Sequence, residues 1–359
     1  MKNLLLVDFG HLSSRMVHTA IHLSKPSKKD GKYVTADFQS MLFHMVLNSL
    51  RFSMKRFKSD EVVIFLDGFG SWRKDVYPEY KGNRDKSESD INWETLYVVL
   101  NELTDTMKEA FPFKVIGLDK TEADDGIAVI AKEYSPIYNV TILSEDKDFF
   151  QLLKHRGVKQ YRPIKKDFVS MTPEEAEDYA ILHRCLGDAV DNIPNIKSRT
   201  AFSPTFISYL KENEIYTTSV PEFLKLSISE KLMSDFTVFK KITAGKKKGQ
   251  MSDIKDIYKT VPFGEKGALK FVQDLEVNLS ENVMYRKNYD LNYILTSFDA
   301  IPDYIYNPVV KDFKEQTIQF NAKKINDFLL KYSLGELFAN ASDFYISGAE
   351  VETSLADFF

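Results

Sequence analysis

Four apolar runs of strand length in the first half of the chain each lead into carboxylates. Asp8 ends Leu4-Leu5-Leu6-Val7, and Asp67 ends Val62-Val63-Ile64-Phe65-Leu66. Glu122, Asp124 and Asp125 follow Val115-Ile116-Gly117-Leu118, and Asp146 and Asp148 follow Val140-Thr141-Ile142-Leu143. Asp188 and Asp191 stand further on, in Gly187-Asp188-Ala189-Val190-Asp191-Asn192. Like charges gathered at strand ends and helix starts repel one another and destabilise a fold unless cations bind among them. The pattern therefore constrains both the architecture and the chemistry.

The runs at 3–8, 62–67, 113–118 and 139–144 alternate with helical patterns at about 35–57, 91–110 and 123–134. Strands alternating with longer helices predict an α/β fold with a mostly parallel central sheet and helices on both faces. In such open sheets the ligand site lies beyond the carboxyl ends of the strands. Asp8, Asp67 and Asp146 all fall at that edge, and Glu122 opens the helix that follows its strand. Thr172-Pro173-Glu174-Glu175 carries a capping-box pair with proline at the first helical position, which predicts a helix running to about Leu186. Beyond residue 200 the pattern changes to helices, at 203–212, 229–243, 265–277, 283–298 and 321–332, with no convincing strand run. The division expected is a core over 1–200, a helical nucleic-acid-binding part over 201–341 and an acidic tail over 342–359.

Cys185 is the only cysteine, which excludes a disulfide framework and a cysteine-rich zinc site and suits a reducing compartment. No apolar run approaches the roughly 20 residues that span a bilayer, and the N-terminus lacks a signal-peptide pattern. The expectation is a soluble protein without a membrane partner. The net charge of −4 looks wrong for a nucleic-acid binder. With the nine clustered acids set aside, however, the 48 basic residues outnumber the rest of the 52 acidic ones.

A hard cation such as Mg2+ takes oxygen ligands and retains waters, so each ion needs only a few carboxylates. Nine acids suit two ions better than one. Two ions about 4 Å apart can activate a water and stabilise the leaving oxygen in phosphodiester hydrolysis. The segment Trp72-Arg73-Lys74-Asp75-Val76-Tyr77-Pro78-Glu79-Tyr80-Lys81-Gly82-Asn83-Arg84 sets cations and aromatic rings beside this acidic centre. Cations there can hold a scissile phosphate, and rings can stack an unpaired base. Arg73 and Lys74 are thus candidate nucleic-acid contacts, with a basic loop salt-bridged to the acids as the bland alternative. Lys246, Lys247 and Lys248 form a further basic loop suited to phosphate.

At these residues the chain resembles the flap endonuclease / 5′→3′ exonuclease family, whose core is PIN-like. Tyr80-Lys81-Gly82-Asn83-Arg84 is similar to the family's Tyr-Lys-x-x-Arg element at the base of its helical arch, here placed near 71–95. Glu122-Ala123-Asp124-Asp125, Asp146-Lys147-Asp148 and Gly187-Asp188…Asp191-Asn192-Ile193-Pro194 are similar to its other acidic motifs, in order. The likeness covers about residues 1–200 and, within the family, points to the RNase H subgroup of T-even-like phages, which removes lagging-strand RNA primers. The resemblance implies a first metal held by Asp8, Asp67, Glu122 and Asp124, with Asp125 and Asp146 close by. It implies a second held by Asp148, Asp188 and Asp191. Both would be Mg2+, with Mn2+ able to substitute. Lys81 and Arg84 would contact the scissile phosphate and Tyr80 would stack a substrate base. The implied partners are branched or flapped DNA, RNA–DNA hybrid and single-stranded DNA-binding protein, for a monomer in the cytoplasm of a host cell.

The chain departs from the family after Asp191-Asn192-Ile193-Pro194. A glycine-rich hairpin is common there, but this sequence has Asn195-Ile196-Lys197-Ser198-Arg199-Thr200. Without glycine the backbone approaches phosphate less freely, so Lys197 and Arg199 are the expected duplex contacts. Residues 203–262 look like an insertion relative to the phage subgroup. The terminal Glu352-Thr353-Ser354-Leu355-Ala356-Asp357-Phe358-Phe359 resembles a sliding-clamp peptide, with Leu355, Phe358 and Phe359 as apolar anchors. Two rival readings are a ribonuclease of the broader PIN-like group and a clamp-tethered, non-catalytic factor that binds branched DNA. The Tyr80–Arg84 element and the Asp188/Asp191 pair weigh against the first, and the full set of acids weighs against the second.

Overall fold

Leu4, Leu5, Leu6 and Val7 are all inaccessible to solvent, so strand β1 (Lys2–Asp8) is covered on both faces, as a strand inside a parallel sheet must be. The computed structural model describes residues 1–24, 36–83, 93–217, 219–241, 251–254, 257–259, 261–347 and 349–351. After β1 come helices α1 (Phe9–Ser24) and α2 (Ala36–Phe57), strand β2 (Glu61–Phe65), the short helix α3 (Arg73–Val76) and helix α4 (Trp93–Ala110). Strand β3 (Lys114–Ile116), helix α5 (Ala123–Tyr134), strands β4 (Tyr138–Leu143), β5 (Val158–Arg162) and β6 (Asp167–Phe168) and helix α6 (Pro173–Leu186) follow. The six strands form one sheet in the order β3-β2-β1-β4-β5-β6, parallel throughout except for the β5–β6 pair.

Alternation along the strands decides what covers each face. Leu5, Val7, Val62 and Ile64 join a core with Leu12 and Met16 of α1, Phe43, Val46 and Leu47 of α2 and Leu103 of α4. Their neighbours Leu4, Leu6, Val63 and Phe65 are as deeply buried on the opposite face. There α5 lies so close that a Cβ on Gly126 would come within 2.5 Å of the Phe65 ring. Both faces are covered, as the sequence pattern predicts. Helix α1 is an addition to that pattern, because its polar Ser, Thr and His positions mask the apolar spacing of Phe9, Leu12, Met16 and Val17.

By internal contacts the chain divides into two compact units. The first takes the described residues of 1–79, 84–179 and 298–359; the second takes 80–83 and the described residues of 180–297. This grouping differs from a simple division near residue 200. In the second unit, α7 (Pro204–Glu212), α8 (Val220–Phe223) and α9 (Ser229–Asp235) precede an antiparallel pair, β7 (Val238–Lys241) and β8 (Met251–Ile254). Helices α10 (Glu265–Gln273), α11 (Leu275–Ser280) and α12 (Val283–Thr296) complete it. The helix expected over 229–243 therefore stops at Asp235 and gives way to a strand, and strands do occur beyond residue 200. Lys246, Lys247 and Lys248 fall between β7 and β8, outside the described residues.

The chain then returns to the first unit through α13 (Asp303–Glu315), β9 (Gln319–Phe320), α14 (Ala322–Lys331), α15 (Gly335–Ala339) and β10 (Glu350–Val351). Phe320, Ile325, Phe328, Leu329, Leu337 and Phe344 enter the same core as Leu5 and Val7. The C-terminal helices thus share the hydrophobic core of the sheet rather than forming a separate layer. Among the described residues no helix is long and apolar enough to cross a membrane.

Candidate metal centre

Strand register carries the acids to one edge. Asp8 lies opposite Phe65, with Asp67 two residues further along the chain, and Val7 lies opposite Leu143, with Asp146 three further. Since β1 sits between β2 and β4, all three carboxylates emerge at the carboxyl ends of adjacent strands. Gly10 marks where two of them meet. A methyl group there would sit 3.3 Å from Asp67 Oδ2 and 3.6 Å from Asp8 Oδ1.

Asp8 is 6% exposed, and its oxygens are held by the His11 amide at 2.9 Å and the Ser144 hydroxyl at 3.1 Å. Burial pushes its carboxyl up to about 6, with the charge of Asp67 adding to the rise and His11 and Ser144 opposing it. Asp67 Oδ1 accepts from the Ala123 amide at 3.0 Å, at the N-terminus of α5, where the helix dipole favours an anion. Ser144 also accepts from the Asp146 amide at 3.1 Å, and Asp146 Oδ1 accepts from the Asp148 amide at 2.9 Å. Asp148 starts a 3-10 turn, Asp148–Lys154, rather than continuing an extended stretch. Gln160 fixes this loop by donating to the carbonyls of Ser144 and Asp146 at 2.9 and 2.6 Å.

Arg73 follows the salt-bridged alternative rather than facing outward to nucleic acid. It is 3% exposed and donates to both oxygens of Asp125, at 2.8 and 3.0 Å, and to Glu122 at 2.9 Å. Trp72 Nε1 donates to the same Asp125, at 2.9 Å, and Ser71 to Glu122, at 3.1 Å. Asp125, fully buried, is therefore paired internally, and Arg73 is a buried clamp rather than a solvent-facing phosphate contact. The reason is electrostatic: a carboxylate with no solvent must be paired, and a planar guanidinium pairs it bidentately. Lys74, next along, is exposed.

Asp8, Asp67 and Asp146 stand apart from that clamp. Among the described residues no Lys or Arg pairs with Asp8, Asp67 or Asp146, although Asp8 is nearly solvent-free. A desolvated, unpaired carboxylate facing a second one is a donor set that a divalent ion would neutralise.

In the second unit, Gly187 ends α6 at a φ of +64°, and a Cβ there would come 2.5 Å from the Ile193 and Pro194 carbonyls. Asp188 and Ile193 then form an antiparallel bridge, so Asp188 and Asp191 lie on a turn and not on a helical face. Asp188 Oδ1 accepts from the Val190 and Asp191 amides, at 2.7 and 3.3 Å, and its Oδ2 lies 4.0 Å from His183. Asp191 Oδ2 takes the Tyr80 hydroxyl at 3.2 Å and has Lys81 Nζ at 3.8 Å. The backbone joins too, with the Lys81 amide on the Asp191 carbonyl at 2.8 Å. Tyr80 is only 3% exposed, with Lys81 Nζ over its ring at 5.0 Å, so its face is not open for stacking a base. Arg84 lies outside the described residues.

Sequence reasoning missed the residues that hold these loops. Asn292 donates to the Arg184 and Pro194 carbonyls, both at 2.8 Å, and Asn288 to those of Ile196 and Ser198, at 3.0 and 2.7 Å. Spaced four apart on α12, the two amides present one face to the chain, and that spacing is the only signal the sequence carried. Lys197 Nζ lies 5.2, 5.3 and 5.4 Å from the rings of Phe263, Phe271 and Tyr285, a cation–π setting, and Arg199 lies over Tyr258 at 5.9 Å.

Residues 3–180 match the 5′-3′ exonuclease, N-terminal resolvase-like domain. The chain belongs to the 5′→3′ exonuclease and flap endonuclease family, a family of nucleases. It is 29% identical to ribonuclease H of Enterobacteria phage T4, over 85% of this chain and 87% of that one. It is 22% identical to a 5′-3′ exonuclease of Mycoplasmopsis pulmonis, over 82% and 93% of the two chains. A crystal structure of the bacteriophage T5 flap endonuclease, a pseudo-enzyme–product complex with DNA and metal ions, shares the fold. Its TM-score is 0.50 at 19% identity, covering 88% of this chain and 98% of that one.

The raised Asp8 carboxyl makes stability depend on pH. Folded, the group keeps its proton to about 6; unfolded, to the ordinary value of 3.8. Between those values the folded state binds more protons, so stability falls as pH rises through the window and stays low above it. In EDTA, Asp8→Asn should be more stable than wild type near neutral pH, by up to about 3 kcal/mol, with the advantage gone below the lower value. Urea midpoints of both proteins across the window measure this, and a pH-independent difference would contradict it.

Proposed function

We propose that this chain is a magnesium-dependent, structure-directed 5′ nuclease that removes RNA primers and 5′ flaps during DNA replication, in the cytoplasm of its host cell. The observation that carries the reading is the convergence of Asp8 and Asp67 at Gly10, unpaired by any described Lys or Arg, at the carboxyl edge of a sheet whose residues match a nuclease family. The named activities of the T4 and T5 relatives supply the substrate class. Bound divalent ions would supply Lewis acidity and a nucleophilic water. Asp8, Asp67 and Asp124 are assigned to one ion, with Glu122 shared with Arg73; Asp148, Asp188 and Asp191 are assigned to another, as the family resemblance implies.

The protein's own part is positioning. The His11 amide and Ser144 hydroxyl orient Asp8, and the α5 N-terminus orients Asp67. Lys81 is assigned to the scissile phosphate, where a cation offsets charge that builds in the transition state. Its attachment to Asp191 keeps the ammonium beside a carboxylate until a phosphate competes for it. Lys197 and Arg199 are assigned to the duplex backbone.

On 5′-labelled flap, nicked-duplex and RNA–DNA hybrid substrates, cleavage should require Mg2+, stop in EDTA and be lost in Asp67→Asn. Lys81→Ala should lower the single-turnover rate by roughly 100-fold or more while weakening binding far less. Cleavage in EDTA, or wild-type rates in Asp67→Asn, would refute the metal assignment; a rate that recovers at high enzyme concentration would make Lys81 a simple anchor.

Leu355, Phe358 and Phe359 lie outside the described residues, and their role rests on the sequence alone. We propose that they dock on a sliding clamp, which raises the local concentration of nuclease without changing its chemistry. Removing residues 352–359 should leave cleavage of free flaps unchanged and abolish stimulation by clamp on primed circles. A truncated protein still stimulated by clamp would refute the tether.

A further inference from the structure

The aromatic rings expected to meet a base are turned inward. Trp72, Tyr77 and Tyr80 are 2%, 7% and 3% exposed, and two of them are tied to buried or half-buried acids, Asp125 and Asp191. One ring on the same stretch does the opposite. Phe69 is 90% exposed, more than any other large apolar side chain described, and it stands two residues after Asp67.

Its exposure is built in. The Gly68 amide donates to the Thr121 carbonyl at 2.9 Å, the Lys120 amide to the Phe69 carbonyl at 3.0 Å and the Trp72 amide to the Lys120 carbonyl at 2.9 Å. The loop is thus stitched to the segment leading into α5 on both sides of Phe69. Gly68 has no room for a side chain, since a Cβ there would meet the Leu118 carbonyl at 1.8 Å, and Gly70 turns the chain at a φ of +79°. Beyond Gly70, Trp72 and Arg73 lock the loop to Asp125 and Glu122. A loose loop could fold a phenyl ring back onto apolar surface and gain from its burial. This one cannot, so the ring is presented to solvent at a fixed place.

We propose that Phe69 is a stacking platform for a nucleobase of the substrate, flanking the phosphate that cations at the carboxylates would hold. The inference rests on the nuclease reading. Two residues of backbone reach at most about 7 Å, so a strand whose phosphate lies at Asp67 carries its neighbouring bases past this ring. Any base has a π-face, so the contact tolerates sequence and adds affinity where Tyr80 cannot. A rigid ring loses little conformational entropy on binding. The exposed Lys74 lies on the one-turn helix that follows the loop, where a cation suits the adjoining backbone.

The test uses the protein and a 5′-flap oligonucleotide with 2-aminopurine at positions flanking the junction, titrated with Ca2+ in place of Mg2+, a hard cation that takes the same oxygen ligands. Wild type and Phe69→Trp should quench the probe at one position, and Phe69→Ala and Phe69→Leu should lose both the quench and roughly 5- to 100-fold in affinity. Melting temperatures should be unchanged. Wild-type affinity and quenching in Phe69→Ala would overturn the proposal and leave the ring to a protein partner. Wild-type behaviour in Phe69→Leu would overturn stacking, and a parallel loss of melting temperature would make the role structural. Mg2+-dependent cleavage by wild type, scored separately, shows whether the nuclease reading itself has failed.

Discussion

A carboxylate at the buried end of β1, facing a second one at the end of β2, is the constraint on which the rest of this protein depends. Asp8 is almost out of solvent and no described Lys or Arg pairs with it, so its charge is held against the gradient of burial. A raised Asp pKa is a free-energy cost in the folded state, about 1.4 kcal/mol for each unit. The fold meets that cost with an apolar core shared by the sheet, α1, α2, α4 and the returning C-terminal helices. A bound cation would turn the same cost into affinity, because it rewards the ionised form that burial penalises.

The chain separates two kinds of acid at this edge. Asp125 and part of Glu122 are neutralised internally by Arg73, which fixes the loop from Ser71 to Val76 against α5. Asp8, Asp67 and Asp146 are oriented instead by neutral donors: the His11 amide and Ser144 hydroxyl on Asp8, the Ala123 amide on Asp67 and the Asp148 amide on Asp146. Neutral donors aim an oxygen without cancelling its charge, which is what a metal ligand needs. A guanidinium cancels it, so the pattern of partners distinguishes a structural acid from an available one.

Much of this was legible in the sequence. The apolar runs ending in Asp8, Asp67 and Asp146 predicted a parallel sheet with its acids at one edge, since strand register carries strand ends together. The capping box at Thr172 and Glu175 formed as its residue types require, with the Thr172 amide on Glu175 at 2.7 Å and the Glu175 amide on Thr172 at 3.2 Å. What stayed hidden was partner choice. The order of residues left Arg73 open between phosphate and the acids and did not single out Asp125, or Asp191 for the Tyr80 hydroxyl, because both choices depend on distances set by the whole fold. Short strands such as β7 and β8 were illegible for another reason: Val238-Phe239-Lys240-Lys241 and Met251-Ser252-Asp253-Ile254 carry no period long enough to separate from a helix. The membership of α13 and α14 in the first unit is long-range packing, and local patterns are silent on it.

Asp8 and Asp67, with no described Lys or Arg beside them, are the acids we propose to hold a divalent cation. Calorimetric titration of metal-free wild type and Asp8→Asn with Mg2+, at a pH above the raised value of Asp8, tests that assignment most directly. Wild type should bind Mg2+ saturably, with a rise in melting temperature, and Asp8→Asn should lose most of both. Equal binding by the two proteins, or no binding to wild type at millimolar Mg2+, would contradict it.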